Sequence, residues 1–137
     1  MSYSHPTVRS YARVRFGRSS TSVVVPVAIT FRDRVQGLLG ISSLDPDGGM
    51  LFMVPGDENP SMTMKDMLMP LDFIFMDHRR VVGVKHVVAA GQIDPVRPPG
   101  GKWVPWVLEM RPGFAYDRVI KAGDPVEIEM LVEGESR

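Results

Sequence analysis

Apolar and polar residues alternate from Tyr11 to Phe16, with Ala12, Val14 and Phe16 on one side and Arg13 and Arg15 on the other. A period of two is that of a strand with one buried face. Ser19, Ser20, Thr21 and Ser22 then predict a turn. Residues 23–29 are rich in β-branched side chains but contain Pro26, which points to an edge strand or a bulge. Thr30 suits the cap of a helix over residues 31–39, with Asp33 completing a capping box. Phe31, Val35, Leu38 and Leu39 would share the buried face of that helix, and Gly40 would stop it.

Asp45, Pro46, Asp47, Gly48 and Gly49 read as a turn before a short buried strand over residues 50–54. Leu71 to Met76 is almost continuously apolar, which implies cover on both faces. Asp77, His78, Arg79 and Arg80 form a hairpin turn into a strand over residues 81–89. Residues 90–102 hold Pro95, Pro98, Pro99, Gly100 and Gly101, and a loop of that length in a compact domain is usually functional or mobile. A strand interrupted by Pro105 is expected over residues 103–110, and one helical turn over 115–121. Val126, Ile128, Met130 and Val132 alternate with Glu127, Glu129 and Glu133 in a final strand. About seven short strands and one helix predict an all-β fold, a sandwich or barrel. The two terminal strands match in period and are opposite in charge. They are therefore expected side by side, with Arg13 and Arg15 facing Glu127 and Glu129.

The chain has 137 residues, enough for one core without staples. The expected division is an arm with a short strand over 1–22, a domain over 23–132 and an acidic tail over 133–137. Cysteine is absent, which excludes disulfides and thiolate chemistry. No apolar run reaches the roughly 18 residues of a membrane span, and no signal-peptide core follows Met1. The expectation is cytoplasmic synthesis, with use there or in an assembly packaged from it, a virion included. Net charge is zero, but Arg9, Arg13, Arg15, Arg18 and Arg32 precede the first acid, Asp33. Such asymmetry can mark a nucleic-acid arm. With one Arg every few residues and no Lys in this block, a paired strand face is the preferred reading.

One stretch, residues 62–76, places Lys65, Asp66 and Asp72 among apolar residues. A buried charge without a partner costs several kcal/mol, so these groups must be paired, hydrogen-bonded or at a surface. The pattern from Met64-Lys65 to Pro70-Leu71-Asp72 resembles the bacterial and archaeal family called domain of unknown function 192. Gln36-Gly37-Leu38-Leu39, Gly49-Met50-Leu51-Phe52, Val107-Leu108-Glu109 and Gly123-Asp124 match further signatures in the family's order. The resemblance implies a jelly-roll-like β-sandwich and no agreed activity. The chain departs from the family where Phe-Trp-Met-Lys-Asn-Thr is usual and Met62-Thr63-Met64-Lys65-Asp66-Met67 stands here.

Candidate chemistry is sparse. His5, His78 and His86 have no metal-ligand spacing, and neither a nucleophile motif nor a phosphate-binding glycine loop occurs, so no metal and no cofactor is expected. Lys65, Asp72 and Glu109, with Asp124, fall on signature positions. In one cleft the first three could transfer protons, and together with Asp124 they could hold a polar ligand. The plainer reading is an internal ion pair, or carboxylates that accept backbone N–H bonds to fix turns. Trp103 and Trp106 beside the long loop could form a platform for carbohydrate. Met62, Met64 and Met67, together with Arg13 and Arg15, are candidates for a protein interface. The leading expectation is a non-enzymatic structural or accessory module of a larger protein assembly, such as a virion decoration protein. Its partners would be protein subunits, not a membrane or nucleic acid. The alternatives are a small-ligand or carbohydrate-binding domain, and an enzyme using Lys65, Asp72 and Glu109.

Overall fold

The computed structural model describes residues 10–56 and 61–131. Seven strands form one sheet: β1 (Tyr11–Phe16), β2 (Thr21–Ala28), β3 (Gly49–Met53), β4 (Leu71–Met76), β5 (Val81–Val88), β6 (Trp106–Met110) and β7 (Val126–Leu131). Two short helices interrupt them, α1 (Phe31–Gln36) and α2 (Phe114–Asp117). The spatial order is β5-β4-β6-β3-β2-β1-β7. Every neighbour is antiparallel except β2 and β3, whose short parallel pairing joins Val27 to Leu51 and Ala28 to Phe52.

The sheet curls into a half-barrel whose edges meet at one end. The Val126 amide donates to the Arg79 carbonyl at 2.8 Å, and the Val81 amide to the Asp124 carbonyl at 2.9 Å. Closure of this kind leaves less unpaired edge. The alternation in β1 and β7 sorts their side chains as expected. Ala12, Val14, Phe16 and Val126 enter the inner core with Leu51, Ile74 and Leu108. Arg13 pairs with Glu129 at 2.9 Å and Arg15 with Glu127 at 3.1 Å across the β1–β7 ladder. A second apolar layer, with Phe52, Met64, Phe73, Phe75 and Val107, covers the outer face of β3, β4 and β6. Leu71 to Met76 is thus buried on both faces.

Several details differ from the sequence reading. Pro26 lies on an interior strand, not an edge; its ring takes the position just before the two-residue β2–β3 ladder, where no N–H is required. The helix ends at Gln36 because Gly37, at φ +45° and ψ −128°, takes a backbone conformation that L side chains rarely adopt. Phe52 packs 3.1 Å from the point where a Gly37 Cβ would sit. The strand expected from residue 103 begins at Trp106, after Pro105. Residues 11–22, expected as the short strand and end of an N-terminal arm, supply β1, the turn after it and the first two residues of β2. His5, Arg9, Val132 and the acidic tail at 133–137 lie outside the described residues. No helix among the described residues is long and apolar enough to cross a membrane.

Candidate functional site

Glu109 sits on β6, where side chains alternate between the two cores. Trp106, Leu108 and Met110 turn inward, so Val107 and Glu109 turn to the outer layer. Its cross-strand neighbours are Met50 on β3 and Phe73 on β4, both apolar. The residue is 5% exposed, and among the described residues no hydrogen bond or ion pair reaches its carboxyl group. Among the described residues no fully enclosed side-chain oxygen lacks a partner, so the Glu109 oxygens must open onto free space.

That space is a pocket of about 390 Å³. One wall is α1 and the turn after it, with Phe31, Val35 and Gly37; a second is Phe52 and Val54; the third is residues 61–67. Local chemistry fixes α1 against the sheet. The Asp33 amide donates to the Thr30 hydroxyl at 3.1 Å, as the capping box requires, and the Gly37 amide closes on the Asp33 carbonyl at 2.8 Å. The expected apolar face is only partly buried: Leu38, in the turn after α1, enters the second core, but Phe31 is 71% and Val35 58% exposed, and Asp33 is the buried residue of the helix itself. The helix is too short to cover the second core. It presents its apolar side to the pocket mouth instead.

Burial among apolar neighbours disfavours the charged form of Glu109 and pushes its pKa from 4.5 up to about 8. At neutral pH the carboxyl is therefore mostly protonated, and it carries a donor hydrogen as well as an acceptor oxygen. Among the described residues, the other charged groups on the pocket are Arg34, Lys65 and Asp66. Arg34 donates to the Ile29 carbonyl at 2.6 Å. Lys65 is exposed, and among the described residues its ammonium group has no partner.

The expected trio of Lys65, Asp72 and Glu109 does not converge. Met110 lies opposite Asp72 and Phe73 opposite Glu109, so the two acids point to opposite faces of the sheet. Asp72, wholly buried, accepts from the Val87 amide at 2.8 Å, the Gly113 amide at 3.2 Å and the Ala115 amide at 2.9 Å. It fills two local needs. Leu71 pairs with Val88 and Phe73 with Lys85, so His86 and Val87 bulge against Asp72 and leave an amide to be satisfied. Gly113 and Ala115 begin α2, whose cap has no side-chain acceptor of its own. Asp124 accepts from the Lys121 amide and from Arg18, both at 3.0 Å, and so ties two turns together.

The two tryptophans form no common platform. Trp106 is buried in the inner core, whereas Trp103 is 44% exposed and donates its indole N–H to the carbonyls of Val54 and Pro55. Met64 is core, while Met62 and Met67 line the pocket. Arg13 and Arg15 are engaged within the chain. Phe31, Val35 and Phe52 were not among the residues expected at a site. The available signal was their nearness to the Gln36-Gly37 and Gly49-to-Phe52 signatures.

The fold and the pocket together define a small all-β domain carrying an open apolar cavity over a buried acid. The chain belongs to the family described as DUF192, an uncharacterized ACR, whose model matches residues 13–128. Two crystal structures share the fold. One is a candidate transcription regulator from Sinorhizobium meliloti, at 23% identity and TM-score 0.75, over 90% of this chain and 97% of that one. The other, from Novosphingobium aromaticivorans, is described as a protein of unknown function, at 27% identity and TM-score 0.73 over 91% of both chains. No curated protein matches. Gly37, Phe52, Lys65 and Glu109 come from four of the five stretches that carry the family resemblance, and all four line the pocket. Met62, Thr63, Asp66 and Met67, where the chain departs from the usual family pattern, line it too.

Proposed function

We propose that this chain is a non-enzymatic binding module whose working site is the pocket between α1, β3, β6 and residues 61–67. One observation carries the reading: Glu109 is nine-tenths buried, lacks a partner among the described residues and opens onto an apolar cavity of ligand size. A buried polar group without a protein partner is costly, and a ligand can supply that partner. Binding is preferred to catalysis because Asp72, the second acid of the candidate trio, is spent on three backbone amides. Titration of the isotope-labelled protein with small apolar fragments, followed by amide NMR, tests the proposal. Shifts confined to Gly37, Val54 and Met67 and their neighbours are expected. The absence of any fragment-induced shift there would overturn it.

A second reading, an accessory part of a larger protein assembly such as a virion, is favoured by the exposure of Phe31 and Val35 beside the pocket. Apolar side chains of this size, clustered at a cavity mouth, suit a partner chain. Native mass measurement at high concentration tests it, and a strictly monomeric species with no copurifying partner would remove it. The finer architectural description, a jelly-roll-like sandwich, belongs to the same proposal. Its support is the second apolar layer packed outside the curled sheet.

A further inference from the structure

We infer that the pocket receives a small apolar molecule bearing a carbonyl or carboxylate oxygen, to which Glu109 donates a hydrogen bond. The inference rests on the binding reading above and names the ligand chemistry. Apolar walls from Phe31, Val35, Phe52 and Met67 would hold the body of such a molecule. What remains unmatched inside the cavity is the Glu109 carboxyl, flanked by Met50 and Phe73 on the neighbouring strands and satisfied by no described side chain. A protonated carboxyl offers one O–H, and its complement is an acceptor oxygen.

The charges around the cavity argue against the obvious competitor, an ammonium ligand. α1 contributes Arg34 and the 61–67 segment contributes Lys65 and Asp66, while the β3 and β4 residues beside Glu109 carry no charge. With Glu109 neutral, the described residues place two cations and one anion on the pocket lining. A cation entering it would meet the exposed ammonium of Lys65 and would have to ionise an acid in apolar surroundings. A neutral carbonyl avoids both costs. A carboxylate gains from Lys65.

The test is an NMR titration of the full chain with hexanamide, hexanoate and hexylamine at about pH 6 and about pH 9. Hexanamide and hexanoate are expected to shift the Gly37 and Met67 amides at the lower pH, with hexylamine weaker than either. Because only the protonated fraction of Glu109 donates, hexanamide affinity should fall about tenfold between the two conditions, given a pKa of about 8. Glu109→Gln, which keeps a donor but cannot ionise, should bind hexanamide equally at both. If that variant fails to fold, the comparison on the native chain still decides. Tightest binding by hexylamine, strengthening as pH rises, would overturn the donor assignment while leaving the pocket a binding site. Hexanamide affinity that is the same at both pH values would also overturn it. No shift with any of the three would overturn both.

Discussion

Replacing Asp72 with Asn tests how one buried carboxylate holds two elements together. In the native chain one oxygen accepts from Val87 and Gly113, and the other from Ala115. Asn retains a single acceptor oxygen. If that oxygen keeps Val87 and Gly113, the amide nitrogen faces the Ala115 N–H, donor against donor. Leaving a buried N–H unsatisfied costs about 1–3 kcal/mol, and losing charge assistance on the two remaining bonds adds about 1 kcal/mol. Val87 amplifies the effect, because its φ of +49° is unfavourable for a β-branched residue and its amide is fixed by Asp72. The expected loss is about 3 kcal/mol, which for a domain of this size lowers Tm by on the order of 10 °C. Urea unfolding followed by the fluorescence of buried Trp106 measures it, with Tm from a thermal melt as the check. A Tm within about 2 °C of the native value would refute the dual role.

Glu109→Gln should change how stability depends on pH. The folded pKa of the acid, about 8, exceeds its ordinary 4.5, so between these values the folded state holds the proton that the unfolded state has released. Stability is therefore highest below about 4.5 and falls as pH rises towards 8, by several kcal/mol at most, since the open pocket admits water. The variant should lack that fall, and urea unfolding at several pH values reads the difference. Gly49→Ala should be severely destabilising or fail to fold, because the added Cβ would overlap the Glu109 carbonyl oxygen and the Met110 sulfur; soluble yield and Tm check this. A double-mutant cycle on Arg13 and Glu129 should give a coupling of only about 0.2–1 kcal/mol that shrinks in high salt, since the pair is partly exposed.

Some of this architecture is legible in the residues themselves. β1 and β7 announce themselves by alternation, and their opposite charges foretell the Arg13–Glu129 and Arg15–Glu127 register. A lone acid between Leu71 and Phe73 demands a buried partner, and backbone amides supply it. Other features depend on what the chain meets in space. Phe31 and Val35 have the spacing of a core face, yet α1 spans only six residues and leaves them at a cavity mouth. Trp106 and Trp103 are three apart, but a strand beginning at Trp106 commits that residue to the inner core. The grouping of Asp72 with Glu109 failed on sheet parity. Whether residues of two strands share a face depends on register, and a shift of one residue reverses the answer.

The role proposed for the pocket depends on Glu109 standing uncharged over it at neutral pH. The most direct measurement is a carbon-detected NMR titration of its side-chain carboxyl in the native protein. A midpoint near 8 is expected, shifted when hexanamide is present. A midpoint in the ordinary carboxylate range, near 4.5, would contradict it.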